Sequence, residues 1–131
     1  MSERVLVTGA GGYIGRFVVK ELCDKGADVI AADIKAEEID SRARILSTNI
    51  FSGSEKIYEE LGSPDICIHM AWRDGFVHNS PAHMGDLSAH YTFIKNMVEG
   101  GLKHLSVVGT MHEIGYYEGA IDENTPCNPI S

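Results

Sequence analysis

Hydrophobic positions along this chain follow two alternating patterns. Short apolar runs bounded by polar or glycine residues predict β-strands, and segments with apolar residues three and four positions apart predict α-helices. Because the two kinds of segment alternate without a linker, the pattern predicts one α/β domain with a parallel sheet over residues 1–131. The expected strands cover residues 4–8, 28–33, 45–48, 65–70 and 104–109.

Three helices are predicted between these strands. The first covers residues 13–25 and ends at Gly26, since glycine readily adopts the left-handed conformation found at helix C-termini. The second is short: Ser54 is expected to cap a helix over residues 55–61, and Gly62 ends it.

The third predicted helix covers residues 84–99 and carries two apolar stripes. One stripe must cover the sheet, and the other is either part of the same core or a subunit interface in a helical bundle. The first stripe consists of Met84, Leu87, Tyr91, Ile94 and Val98, and the second begins with Phe93 and Met97.

A loop with almost no side chains joins the first strand to the first helix. Gly9 permits a tight turn, Gly12 lets the backbone approach a phosphate, and Gly15 lets the helix pack close to the strand. The helix N-terminus supplies free N–H groups, so the loop is expected to bind the pyrophosphate of a dinucleotide. The alternative is an ordinary strand–turn–helix connection.

The second strand ends in an acidic residue, Asp33. A carboxylate at this distance from the glycine loop is placed to accept hydrogen bonds from an adenosine ribose, which favours NAD over NADP because a 2′-phosphate would meet a like charge. Lys35 and Arg42 lie near enough in sequence to weaken that preference. The alternative for Asp33 is a solvated carboxylate at a strand end.

Composition narrows the possible partners and location. The chain has 131 residues, 44% of them hydrophobic, and a formal net charge of −8, which argues against nucleic-acid binding. It has no apolar run long enough to span a bilayer, so no membrane partner is expected. Cys23, Cys67 and Cys127 are odd in number and far apart, which is typical of reduced residues in a cytoplasmic protein. The histidine and cysteine spacings predict no metal site.

Five stretches follow a known pattern: residues 8–15, Asp33, residues 48–50, residues 68–72 and residues 108–115. The first has the spacing Thr-Gly-x-x-Gly-x-x-Gly, and the fourth reads Ile-His-Met-Ala-Trp. Together they resemble the extended short-chain dehydrogenase/reductase superfamily, and within it the NAD-dependent epimerase/dehydratase family that works on nucleotide sugars.

The resemblance implies a Rossmann-type doubly wound parallel sheet with flanking helices, truncated before the last strands and the substrate domain. Residues 126–131 are similar to the start of the family's Asn-Pro-x-Ser-x-Tyr-Gly-x-x-Lys segment, and the sequence stops before the catalytic Tyr and Lys. General acid–base catalysis contributes about 10²–10⁴ in rate, so we expect this polypeptide by itself to be inactive.

The resemblance also implies which residues hold NAD. Asn49 stands where the family usually has Asp, and its amide oxygen can still accept from the adenine amino group, although it could equally shape a turn. His69 is interpreted as a core histidine with satisfied hydrogen bonds, and His90 stands where the family often has Asn. The implied cofactor-binding residues are Gly9, Gly12, Tyr13, Ile14, Gly15, Asp33, Ile34, Asn49, Ile50, Met70, Ala71, Trp72 and Val108.

Thr110 matches the family's catalytic Ser/Thr, whose hydroxyl hydrogen-bonds the reacting sugar oxygen. Arg73, Met111 and His112 would contact the substrate, with an exposed salt bridge as the alternative for Arg73. The implied function is hydride transfer at a sugar carbon by an NAD-dependent epimerase, dehydratase or reductase. The alternative is a non-catalytic dinucleotide-binding sensor. A homodimer would form through the helix at residues 84–99. If the fifth strand is an unpaired edge, the polypeptide should dimerise or aggregate through that strand.

Overall fold

The computed structural model describes residues 2–129, and for Met111 it describes the main chain only. Within this range a parallel five-stranded sheet forms, with the order β3-β2-β1-β4-β5. The chain therefore builds outward from β1 in one direction and then in the other, which confirms the predicted doubly wound sheet. The strands are β1 (Arg4–Thr8), β2 (Asp28–Asp33), β3 (Arg44–Ser47), β4 (Ile66–His69) and β5 (His104–Val107).

The central strand β1 divides the core into two layers because its side chains alternate between the faces of the sheet. Leu6 belongs to the cluster on one face, together with Phe93 and Met97. Val7 belongs to the cluster on the opposite face, together with Val19. Both faces are thus covered by helices, as a parallel sheet requires.

The first two helices differ in how well the sequence predicted them. Helix α1 (Tyr13–Asp24) begins as expected, and Gly26 just beyond its end has a φ of 78°. Helix α2 (Ile57–Glu60) is shorter than expected, and the prediction that Ser54 caps it is wrong. The Ser54 hydroxyl instead accepts from the Lys56 N–H in a turn that precedes the helix.

Helix α3 (Pro81–Gly100) starts before the expected position, because the Ser80 hydroxyl accepts a hydrogen bond from the Ala82 N–H and caps it. Its second apolar stripe covers the sheet, since Phe93 and Met97 are buried. The first stripe is largely exposed, with exposed fractions of 75% for Met84, 57% for Leu87, 68% for Tyr91 and 53% for Val98.

The chain after α3 forms the edge of the described sheet. Strand β5 pairs with β4 and is shorter than expected, although the Val108 N–H still donates to the His69 carbonyl at 3.2 Å. A short 3₁₀ helix follows at Met111–Glu113. None of the helices between residues 2 and 129 combines the length and apolar character that a membrane crossing needs.

Candidate functional site

A cavity of about 510 Å³ opens where β1, β2 and β4 end, at the point where the strand order reverses. Ligands of open α/β sheets bind in this position. Most of its wall consists of residues singled out from the sequence as cofactor- or substrate-binding, and the structure adds Ala32, Thr48, Phe51, Asp86, Ala89 and His90. The singled-out residues are Gly9, Gly12, Asp33, Ile34, Asn49, Ile50, Met70, Ala71, Trp72 and Arg73.

The glycine loop fits tightly between β4 and the start of α1. Gly9 has a φ of +67°, and a Cβ there would lie 2.7 Å from the Ala71 nitrogen. A Cβ on Gly15 would lie 2.1 Å from the Gly9 carbonyl oxygen, so α1 can approach the loop only because Gly15 lacks a side chain. Gly12 begins α1 without a side-chain cap, and the first turn contains no acidic residue. The helix N-terminus therefore remains available to a negatively charged ligand.

The Asp33 carboxylate is held at the edge of this loop by two main-chain groups. Its Oδ2 accepts from the Gly11 N–H at 2.9 Å, and its Oδ1 accepts from the Lys35 N–H at 3.0 Å. The sequence analysis did not single out Gly11. The structure shows why a glycine stands there, because a Cβ would lie 2.2 Å from the Lys35 carbonyl oxygen. Arg42 pairs with Asp24 and Asp40 at 2.6 and 2.7 Å, so its charge is engaged by these carboxylates.

Asn49 shapes a turn, and it also lies on the cavity wall, where its proposed contact with adenine stays a prediction. Its side-chain oxygen accepts from the Phe51 N–H at 3.0 Å and so shapes the turn after β3. It also lines the cavity. Because an amide oxygen has two lone pairs and the side chain also carries two N–H donors, Asn49 retains capacity for a ligand.

A chain of three side chains runs from β1 to α3 behind the cavity wall. The Thr8 Oγ1 lies 2.7 Å from His69 Nδ1, and His69 Nε2 lies 2.9 Å from His90 Nδ1. His69 is 4% exposed and both its ring nitrogens are hydrogen-bonded, which confirms the predicted core histidine. Burial, with a contribution from His90, lowers the pKa of His69 to about 4.

Arg73 forms a two-point ion pair with Asp86 on α3, with nitrogen–oxygen distances of 3.0 and 2.7 Å. Of the two roles considered for Arg73, the structure thus shows the salt bridge. The neighbouring Trp72 packs its ring against His83 and His90, at centroid distances of 5.0 and 5.3 Å. This loop therefore docks on α3 through one ion pair and two aromatic contacts.

Thr110 starts the 3₁₀ helix with a reciprocal cap. Its hydroxyl accepts from the His112 N–H at 3.2 Å, and its own N–H donates to the Glu113 carboxylate at 2.9 Å. A Cβ on Gly109 would lie 2.1 Å from the Glu113 Oε1 atom, so a larger residue there would displace the end of this capping side chain. The His112 ring contacts His78 at a centroid distance of 4.6 Å. The role of Glu113 in this cap was not predicted, since Glu113 has no sequence signature of its own.

Several predicted site residues lie outside the cavity wall. Tyr13 and Ile14 are 75% and 59% exposed at the start of α1, and Gly15 is buried against the loop. Val108, Thr110 and His112 belong to the segment after β5, and the Met111 side chain lies outside the described part of the chain. Among the described residues, no group of three or more His, Cys, Asp or Glu is placed to hold a metal ion.

The doubly wound parallel sheet, with a glycine-rich turn at the switch point and an acid ending β2, defines the class of Rossmann-type domains. The model of the NAD dependent epimerase/dehydratase family matches residues 5–131, and the chain belongs to this family.

The chain is 46% identical over 129 residues to the dTDP-6-deoxy-L-talose 4-dehydrogenase (NAD(+)) of Aggregatibacter actinomycetemcomitans, covering 95% of this chain and 48% of that protein. Among solved structures, a UDP-glucose 4-epimerase of Thermotoga maritima has a TM-score of 0.78 at 24% identity, covering 97% of this chain and 45% of the other. A second UDP-glucose 4-epimerase has a TM-score of 0.82 at 20% identity, with coverages of 97% and 42%. The chain thus spans about half the length of these relatives.

Proposed function

We propose that residues 1–131 are the dinucleotide-binding domain of an NAD-dependent enzyme that oxidises or reduces a carbon of a nucleotide sugar. The observation that carries this proposal is the cavity at the strand-order reversal, where the glycine loop and the Asp33 carboxylate meet. The family, and the name of the 46% identical relative, support the choice of NAD and of a nucleotide sugar as substrate.

The glycine loop fits a pyrophosphate because its main chain has no side chains to cover it, and α1 leaves its first N–H groups without a side-chain cap. Asp33 would accept from the adenosine ribose, and its charge disfavours a 2′-phosphate, so NAD is preferred over NADP. NAD, when bound, accepts or supplies the hydride. Four further residues lie outside the cavity wall but beside residues that form it, and they would also contact NAD: Tyr13, Ile14, Gly15 and Val108.

Thr110 would orient the reacting sugar oxygen. Because its hydroxyl oxygen already accepts from the His112 N–H, its own hydrogen is free to be donated to that oxygen. Arg73, Met111 and His112 would lie beside the sugar nucleotide. The proton would be moved by a Tyr assisted by a Lys, in a segment that continues beyond Ser131, so residues 1–131 by themselves would show no turnover.

We also infer a homodimer formed through the exposed stripe of α3, and a cytoplasmic location. The stripe supports the first because it places four large apolar side chains on one solvent-facing helix surface. Three free cysteines among the described residues support the second.

Calorimetric titration of the 131-residue chain with NAD and NADP tests cofactor binding. The Asp33→Asn variant should bind NAD roughly ten-fold or more weakly than the wild type, because the negative charge that strengthens the hydrogen bond to the ribose is lost and one of the two acceptor oxygens becomes a donor. Asp28→Asn, at the other end of β2, should leave the affinity unchanged. Absence of NAD binding by the wild-type chain, or equal binding by both variants, would contradict the proposal.

A further inference from the structure

In the hydrogen-bond chain from Thr8 to His90, the main-chain groups around Thr8 determine which atom of each pair donates and which accepts. The Thr8 Oγ1 receives the N–H groups of Met70 and Ala71 at 3.1 and 3.2 Å. The Met70 N–H is shared with the Thr8 carbonyl oxygen at 3.2 Å, but both N–H groups are directed at Oγ1, which leaves the hydroxyl hydrogen to point to His69 Nδ1 at 2.7 Å. His69 Nδ1 is therefore an acceptor.

The donor and acceptor roles of His69 in turn determine those of His90. A neutral His69 whose Nδ1 accepts carries its hydrogen on Nε2, and it donates this hydrogen to His90 Nδ1 at 2.9 Å. A neutral His90 must then carry its own hydrogen on Nε2. Within residues 2–129 this N–H has no hydrogen-bond partner, and His90 forms part of the cavity wall.

Both imidazoles are held in the neutral form. Burial lowers the pKa of His69 to about 4 and also lowers that of His90. The Asp86 carboxylate, one turn before His90 on α3, acts in the opposite direction on His90, but its two oxygens are engaged by the Arg73 guanidinium. The rings of Phe51 and Trp72 pack on His90 at centroid distances of 4.6 and 5.3 Å and limit its reorientation.

We propose that His90 is a binding residue of the dinucleotide cavity, and that its Nε2–H donates a hydrogen bond to an acceptor oxygen of the bound dinucleotide. Thr8 and His69 are positioning residues that hold His90 as a donor at this nitrogen. The inference rests on the proposed function, since it takes a dinucleotide as the occupant of the cavity.

The orientation of the chain can be measured on the protein without ligand. Nitrogen NMR of the imidazole rings at neutral pH should show both His69 and His90 neutral with hydrogen on Nε2. Thr8→Val removes the hydroxyl but keeps the shape of the side chain, and because the donor to His69 Nδ1 is gone, the fraction of His69 with hydrogen on Nδ1 should rise. A wild-type His90 that carries hydrogen on Nδ1, or on both nitrogens, overturns the proposal.

Binding is tested by titrating the 131-residue chain with NAD and with ADP-ribose. His90→Phe should bind NAD roughly three- to ten-fold more weakly than the wild type, because one hydrogen bond is lost while the ring stays in place. His90→Gln, which keeps an N–H donor, should recover part of the affinity. His83→Phe is the matched control, because His83 also packs on Trp72 but does not line the cavity.

The titrations distinguish a failure of the His90 contact from a failure of dinucleotide binding as a whole. Equal weakening for NAD and ADP-ribose places the acceptor in their shared part, and weakening for NAD alone places it in the nicotinamide part; both support the proposal. Unchanged NAD affinity in a folded His90→Phe variant overturns the role of His90 and leaves the proposed function standing. A wild-type chain that binds neither ligand overturns both.

Discussion

At the scale of the residue, Gly15 shows how the absence of one side chain can determine the geometry of a site. The first turn of α1 lies so close to the glycine loop that a Cβ on Gly15 would fall 2.1 Å from the Gly9 carbonyl oxygen. That oxygen is main chain and cannot swing aside, so any larger residue must push α1 away from β1. Gly85, within α3, has no atom within 4 Å of a Cβ placed on it.

These two helical glycines predict opposite effects of the same substitution. Gly15→Ala should lower the free energy of unfolding by about 1–3 kcal/mol, because overpacking forces the backbone to shift. Gly85→Ala should raise it by about 0.5–1 kcal/mol, because alanine loses less conformational freedom in a helix. Urea unfolding of both variants measures the difference. A Gly15→Ala protein as stable as the wild type would show that α1 can retreat without cost.

At the scale of the element, α3 has two apolar faces with different roles. One face covers the sheet through Phe93 and Met97, and the other presents Leu87 and Tyr91 to solvent. A surface helix in a monomer usually has a polar outer face, so the exposed first stripe is the surface at which we propose that another copy of the chain packs.

Sedimentation of the purified chain tests this interface. The wild type should form a dimer, and Leu87→Glu or Tyr91→Glu should convert it to a monomer because burying a carboxylate is costly. Phe76→Glu is a suitable control, since Phe76 is 98% exposed but lies in the loop before α3. If Val107→Lys on the edge strand β5 separates the dimer while the α3 variants do not, the contact runs through the sheet edge instead.

At the scale of the whole molecule, a formed cofactor cavity and a complete reaction are separate requirements. The cavity is assembled from loops after β1, β2, β3 and β4 together with α3, all within the described residues. Thr110 follows β5, and the proposed Tyr and Lys would follow Ser131. Cofactor binding and turnover should therefore depend on different lengths of polypeptide.

Extending the polypeptide along its reading frame tests this separation. A chain that continues through a Tyr and a Lys should transfer hydride between NAD and a nucleotide sugar, and residues 1–131 by themselves should bind NAD without turnover. In the longer chain, Thr110→Val should lower kcat by roughly ten- to hundred-fold, and Thr110→Ser should restore much of it. The readout is the nicotinamide absorbance. A reading frame without the Tyr and Lys would favour a non-catalytic binding protein.

The sequence by itself determined the α/β class, the position of β1 and β2, and the glycine loop, because these depend on local features. The apolar runs of both strands are continuous, and Gly9, Gly12 and Gly15 stand in one short segment. Asp33 was also found in this way, since its position follows directly from the strand that precedes it. The element ends near Ser54 and Ser80 were less predictable, because either hydroxyl could cap a helix and the local turn decides which one does.

Only the tertiary structure decided which residues meet across the chain. His90 lies 21 positions after His69, and Asp86 lies 13 positions after Arg73, yet each pair is hydrogen-bonded. No local pattern encodes such pairs, because they form when α3 docks against the end of β4. The same docking selected which apolar stripe of α3 faces the core, since both have helical spacing and only contact with the sheet distinguishes them.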